Sequence, residues 1–274
     1  MKSIAVIGLG IIGGSICAAL SKAGYTVYGT DLKKENVEYA KKKGYIVDAA
    51  AEISQYDVVF IAVPPKATIS LLQNTTFKTG ALVSDICGVK EKIEKVVFSV
   101  KRNYRYVGIH PMAGKETSGI EYASPSLFAM ANLVITVCEH TSPKWVEEIK
   151  EYAEAMKFGK IVECTAKGHD KKIALTSQLA HIVANAYVKS PEVEGCYGFT
   201  GGSFQDMTRI AGVDEKIWTE LYLLNKEHIL EELDGLIENL TKYRNTIENE
   251  GEEALSQILK EGRLIREKIR YKRD

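Results

Sequence analysis

Neither sign of charge dominates this sequence. Lys and Arg total 36, and Asp and Glu also total 36. The basic excess with which nucleic-acid binders meet phosphates is missing, so that class loses weight. Cysteine is sparse and unpaired. Cys17, Cys87, Cys138, Cys164 and Cys196 are five, an odd number, with no CxxC among them. Such usage excludes a disulfide framework and a cysteine zinc site, and predicts reduced thiols in a cytoplasmic protein. The five histidines lack metal-ligand spacing, so no metal is expected. Long apolar runs are lacking too. The N-terminal stretch MKSIAVIGLGIIGGSICAALSKAG has an early lysine and an apolar run, but glycines interrupt it. It reads as strand, loop and helix, not as a signal peptide or a membrane span. Internal repeats and low-complexity tracts are absent.

What is present is ordinary globular composition, 45% hydrophobic and 26% charged over 274 residues. That suits one large domain, or a medium domain with a smaller companion. In the first half, short β-type runs alternate with helical stretches. IAVIG (residues 4–8), YTVYGTD (25–31), YDVVFIAVPP (56–65), ALVSDI (81–86) and YRYVGIHP (104–111) read as strands. So do ANLVITVCE and GKIVECT further on. Helices are expected between them, including one that ends at a Gly44 cap. Such interleaving predicts an α/β fold with a doubly wound parallel sheet of Rossmann type. The texture changes near Thr165. HDKKIALTSQLAHIVANAYVKS and everything after it carry apolar residues at helical spacing, with almost no strand signal. The expected organisation is therefore a Rossmann-type domain over residues 1–163 and an all-helical domain over 164–274.

The segment GLGIIG sets Gly8, Gly10 and Gly13 between the first strand and the first helix. A dinucleotide site needs glycine for a tight turn, for close approach of backbone to pyrophosphate, and for close helix–strand contact. The helix N-terminus then presents free N–H groups and a positive dipole end to the phosphates. Ile11 and Ile12, inside the motif, join the glycines in the expected cofactor-binding set. Asp31 ends the second strand, where an acid binds the adenosine ribose hydroxyls. Its charge would repel the extra phosphate of NADP, although Lys33 and Lys34 soften that repulsion. NAD is the expected cofactor.

GIHPMAGKETSG (residues 108–119) follows a strand, and ligand chemistry in open α/β sheets collects at carboxyl ends of strands. His110 is thus a candidate to take a hydroxyl proton near neutral pH; a loop-supporting histidine is the alternative. In GGSFQDMTRIAG (residues 201–212), Arg209 suits a bidentate grip on a carboxylate. Asp206 stands where a helix would let it hold the guanidinium, although a surface ion pair reads equally well. His181 lies on a mostly apolar helix, where a packed core histidine is the ordinary reading.

Together, GLGIIGGS, DICGVK, HPMAGKETSG, HDKKIALTSQLAH, FQDMTRIA and IWTELYLLN resemble, in this order, the prephenate dehydrogenase family, which includes arogenate and cyclohexadienyl dehydrogenases. The resemblance covers nearly the whole chain. It implies a helical domain through which two copies dimerise, and NAD-dependent oxidative decarboxylation of prephenate to 4-hydroxyphenylpyruvate in tyrosine biosynthesis. It makes His110 the catalytic histidine, Arg209 the holder of a substrate carboxylate, and Glu116 an acid that shapes or gates the site. His181 matches a second histidine of the family, and Trp218 and Asn225 match positions near the pocket.

This chain departs from the family pattern in places. Gly88 stands where many members have serine, so a hydroxyl contribution must come from elsewhere, with Ser84 one candidate. Gln178 and Ala180 replace a usual histidine and proline, so a substrate contact there is expected to differ. Arogenate is the alternative substrate. A non-catalytic dinucleotide sensor is the alternative from another class, and the joint presence of His110 and Arg209 argues against it.

Overall fold

The computed structural model describes residues 2–114, 117–249 and 251–269. Its elements, in chain order, begin with β1 (Ile4–Ile7), α1 (Ile11–Lys22), β2 (Val27–Thr30), α2 (Lys34–Lys42) and β3 (Asp48–Ala49). They continue with β4 (Val58–Ile61), α3 (Pro65–Asn74), β5 (Leu82–Asp85), α4 (Glu91–Ser99) and β6 (Arg105–Tyr106). The strands β1 to β6 form one sheet in the order β3-β2-β1-β4-β5-β6, every neighbouring pair parallel. Parallel strands need helical crossovers, so both faces of the sheet are covered and its central strands β1 and β4 are apolar and buried throughout. Accordingly Ile4, Val6, Val58 and Phe60 pack on one face, while Ala5, Ile7, Val59 and Ile61 pack on the other. The strand order turns around between β2 and β4, on either side of β1, which places the ligand crevice at the carboxyl ends of β1 and β4.

Residues 104–111, expected as a single strand, are divided. Val107 N–H still donates to the Val83 carbonyl at 3.2 Å, and then the chain leaves the first sheet. Glycine permits this departure, because a Cβ at Gly108 would stand 2.6 Å from the Thr136 Oγ1, 3.1 Å from the Tyr106 hydroxyl and 3.3 Å from the Lys90 Cδ. The continuation, β7 (Gly108–Pro111), pairs antiparallel with β8 (Asn132–Thr136), which pairs parallel with β9 (Lys160–Cys164). ANLVITVCE and GKIVECT therefore build a second, three-stranded sheet instead of extending the first. The helix α5 (Pro143–Ala155) connects β8 and β9.

Downstream, residues 169–190 carry apolar residues at helical spacing. The structure has α6 (Ala166–Ile173), a π-helical stretch Ala174–Leu179, and α7 (Ala180–Tyr187). A π segment inside a helix rotates the side chains that follow it and recurs at functional sites. Next come α8 (Gly202–Thr208) and α9 (Glu215–Leu224), the latter capped by the Asp214 carboxylate. The last elements are α10 (Lys226–Asn249) and α11 (Glu252–Lys268).

By its packing the chain divides into a unit Met1–Lys226 and a unit Glu227–Asp274. The helices α6 to α9 belong to the first unit because buried polar bonds tie them to the sheet domain; the Asp170 carboxylate, for example, accepts from the backbone of Lys90 and Glu91. Among the described residues no helix is long and apolar enough to cross a membrane.

Candidate active site

The crevice between β1 and β4 has the shape that the glycines imply. Gly8 has a φ of +92°, and a Cβ there would strike the Ala62 carbonyl and the Val63 side chain. A Cβ on Gly13 would strike the Gly8 carbonyl, so Gly13 lets α1 begin against the loop. Gly10 is different: nothing lies within 4 Å of where its Cβ would stand. Its backbone is open to a ligand at the N-terminal end of α1, where free N–H groups favour phosphate. The Asp31 carboxylate accepts from Leu9 N–H at 2.6 Å and from Lys33 N–H at 2.8 Å. It therefore braces the glycine loop from the end of β2. An ionised carboxylate offers about four lone-pair sites, so hydroxyls can still be received. The cradle suits a dinucleotide.

His110 stands third in β7, half-buried between buried neighbours. Its Nδ1 lies 2.9 Å from His169 Nε2, and His169 Nδ1 lies 2.7 Å from Asp170 Oδ1. Asp170 is in turn the N-terminal cap of α4 supplied from α6, accepting from Lys90 N–H and Glu91 N–H at 2.8 Å each. A carboxylate is favoured there by the unpaired N–H groups and the helix dipole. Beneath this row lies a buried ion pair. Lys90 Nζ donates to Asp85 Oδ1 at 2.6 Å, and the Tyr106 hydroxyl donates to Asp85 Oδ2 at 2.5 Å. Lys90 and Asp85 are both fully buried. A pair this deep is costly to break, because either partner alone would be an uncompensated charge. Burial, the facing His169 and the Lys90 ammonium hold the pKa of His110 well below the ordinary histidine value. The beside-lying Asp85 and burial push the Tyr106 hydroxyl up, burial being the larger cause. Burial also pushes the Cys87 thiol up to about 12.

The other edge of His110 meets Gly88. A Cβ on Gly88 would sit 3.6 Å from His110 Nε2 and 3.7 Å from the Leu221 side chain. The absent side chain at residue 88 thus keeps space beside Nε2. The Ser84 hydroxyl is fully buried and donates to the Val107 carbonyl at 2.6 Å, inside the sheet. Gln178 is likewise drawn inward. Its amide lies 2.6 Å from Asn225 Nδ2, which donates to it, and donates to the Leu221 carbonyl at 3.3 Å. Asn225 also donates to the Asp170 carbonyl. Both side chains are 2% exposed, so they lock α6, the π segment and α9 together.

His181 and Arg209 form a second group. His181 Nδ1 lies 2.7 Å from the Ile210 carbonyl, and Asn185 donates to the Ala211 carbonyl. The segment that carries Arg209 is therefore clasped to α7. A carbonyl only accepts, so His181 carries its proton on Nδ1. Trp218 packs on the His181 ring at 4.0 Å between centroids. Trp218 and Leu221, three residues apart on α9, share a helical face. One helix thus touches both the His181 group and the Gly88 gap beside His110. Arg209 itself is exposed at the end of α8. Glu116 lies outside the described residues.

His169, Asp170, Lys90 and Asp85 were not singled out from sequence. They sit inside segments that were noted, HDKK and DICGVK, yet nothing local shows that His169 meets a residue 59 positions away.

Comparison with known proteins agrees with this geometry. Residues 16–163 match the family model described as prephenate dehydrogenase, nucleotide-binding domain, and residues 165–261 match prephenate dehydrogenase, dimerization domain. The chain is 32% identical to a prephenate dehydrogenase of Lactococcus lactis subsp. cremoris, covering 97% of this chain and 77% of that one. It is 32% identical to one of Bacillus subtilis, covering 94% and 73%. Among solved structures, Aquifex aeolicus prephenate dehydrogenase in complex with hydroxyphenyl propionate and NAD+ superposes with a TM-score of 0.85. That match has 28% identity and covers 98% of this chain and 99% of the other. With both of its halves matched in order, the chain belongs to the prephenate dehydrogenase family of oxidoreductases.

Proposed function

We propose that this enzyme oxidatively decarboxylates prephenate to 4-hydroxyphenylpyruvate with NAD, and that His110 is its base. The observation that carries the reading is the half-buried His110 with Nε2 beside the space left by Gly88, held on its other edge by His169. Gly8, Gly10, Ile11, Ile12 and Gly13 would hold the dinucleotide, with Asp31 at the ribose. Bound NAD would supply the hydride acceptor, which is the hard part of the chemistry. His110 Nε2 draws the proton from the ring hydroxyl. As the ring carbonyl forms, it becomes the electron sink into which the ring carboxylate is lost as carbon dioxide, and aromatisation makes the step effectively irreversible. Arg209 grips a substrate carboxylate, which fixes the ring relative to His110. Glu116 is retained as a gating acid and His181 as a polar wall of the pocket. The pairing of a neutral base with a carboxylate grip is what a dinucleotide sensor would not need.

Arogenate stays as the second substrate. The inward turn of Gln178 supports this, because the departure at that position is spent on Asn225 and Leu221 and leaves side-chain preference to other groups. The assembly proposed is a homodimer. On α10, Leu230, Ile237, Leu240 and Ile247 are each at least half exposed and recur at helical spacing, an apolar stripe that a second copy would cover. The five cysteines are free, which suits a reducing cytoplasm. The test is NADH formation by purified protein supplied with NAD and either prephenate or arogenate. Turnover of prephenate supports the assignment, preference for arogenate moves the product to tyrosine, and turnover of neither defeats it.

A further inference from the structure

We propose that His169 and Asp170 are positioning residues that fix the tautomer of His110, leaving its Nε2 bare to receive the substrate proton. The inference rests on the reading of His110 as the base and explains how that base is kept ready.

Asp170 accepts backbone N–H donors on both oxygens, from Lys90 on Oδ1 and from Glu91 on Oδ2. These donors cannot be reversed, and they sit at the start of α4, where negative charge is favoured. Asp170 therefore faces His169 as an acceptor, and His169 Nδ1 must donate to it across 2.7 Å. A neutral imidazole that donates from Nδ1 has only a lone pair on Nε2. His169 Nε2 is 2.9 Å from His110 Nδ1, so His110 Nδ1 must donate in its turn. The lone pair of His110 then falls on Nε2, the edge that meets the Gly88 gap. Each bond in the row dictates the next, and the starting point is a helix N-terminus that cannot change sign.

The supports are as rigid as the row. His169 is 2% exposed and Asp170 1% exposed, so water cannot supply alternative partners. The Asp170 carbonyl receives Asn225 Nδ2 at 2.9 Å, which ties α6 to the residue after α9. The Lys90 ammonium also acts electrostatically on His110, and Asp85 holds that ammonium in place. When His110 takes a proton on Nε2, its Nδ1–H is already engaged by His169. The cation formed in the reaction is therefore stabilised by an oriented acceptor without reorganisation.

The first test needs no substitution in the row. Long-range nitrogen–proton correlation of the full-length protein reads which ring nitrogen of each histidine is protonated, and the His110 signals are identified by their loss in His110→Asn. Protonation of His110 on Nδ1 is expected; protonation on Nε2 overturns the proposal. The second test is Asp170→Asn. In the amide one carboxylate oxygen becomes an NH2 that opposes the backbone N–H of Lys90 or Glu91, so the charge that fixes the His169 proton on Nδ1 is lost and the tautomer of His110 is no longer dictated. A fall in kcat of about a hundredfold or more is expected, with KM for NAD unchanged. Wild-type kcat in a folded Asp170→Asn protein overturns the proposal. A third comparison leaves the α4 cap alone. In His169→Gln the amide oxygen can still accept from His110, whereas in His169→Leu nothing can. The glutamine variant should exceed the leucine variant in kcat by roughly tenfold, and equal rates overturn the proposal. The spectra are taken without substrate. Absence of wild-type turnover would therefore remove the functional reading while the tautomer pattern is judged by itself.

Discussion

The crevice at the end of β1 takes its parts from neighbouring residues: the glycines of residues 8–13, with Asp31 one strand later and bonded back to Leu9. The cluster around His110 takes its parts from β5, β7, α6 and α9, joined by bonds that span 59, 80 and 55 positions. The first site is a local conformation that a short motif can encode. The second is a meeting of elements that lie far apart in the chain. A local site should therefore fail locally when altered, through its own backbone. An assembled site should lose chemistry while the crevice goes on binding.

The largest expected effect tests the assembled site. His110→Asn should lower kcat by about 10²- to 10⁴-fold, the usual worth of a positioned base. Fluorescence titration should find NAD affinity nearly unchanged; a comparable loss of affinity would show that the two sites are not separable. Arg209→Ala should come next. Removing a charge-assisted grip of about 1.5–3 kcal/mol predicts a rise in KM for the substrate of roughly ten- to a hundredfold, with a smaller change in kcat. A kcat defect alone would instead put Arg209 outside the binding step.

Gly13→Ala should have a reverse signature. Its Cβ meets the Gly8 carbonyl, so the loop must shift at a cost of about 1–3 kcal/mol. NAD affinity should fall while the His110 ring signals in the spectrum stay in place. Movement of those signals would mean that the crevice and the histidine row are mechanically joined.

The smallest effect is in pH dependence. Burial, His169 and Lys90 lower the pKa of His110 in the folded protein, so the acid limb of kcat/KM should lie below about pH 6.5, the ordinary histidine value. The same shift has a stability consequence. A histidine that resists protonation when folded contributes its full stability above about pH 6.5. It loses that contribution as pH falls from there through the lower folded value, because the unfolded chain takes up the proton first. Denaturation across this range measures the slope, and a stability that rises on acidification would contradict the neutral assignment.

The split of residues 104–111 shows where sequence reading runs out. Period and composition identify an extended run, and the structure keeps it extended. At the change of sheets after Val107, Gly108 passes close to Thr136, Tyr106 and Lys90, contacts that no local pattern announces. The same holds for the π segment Ala174–Leu179, whose residues have ordinary helical periodicity. Its rotation matters because Gln178 must turn inward to Asn225. Ser84 is the matching case in the site. A serine near the missing hydroxyl was a fair candidate by position, but the strand register sends its side chain to the Val107 carbonyl.

By itself, then, the sequence determined the alternation of strands and helices, the glycine turn and the acid that braces it, because those depend on backbone sterics and spacing within a few residues. It also marked His110 and Arg209 as the groups with the right chemistry. Tertiary structure alone decided what surrounds His110: the bare space at Gly88, the ammonium of Lys90, and the row through His169 to the cap of α4. Those partners come from distant segments, and a proton's position on an imidazole is set by the acceptors around it. Such acceptors exist only once the chain has packed.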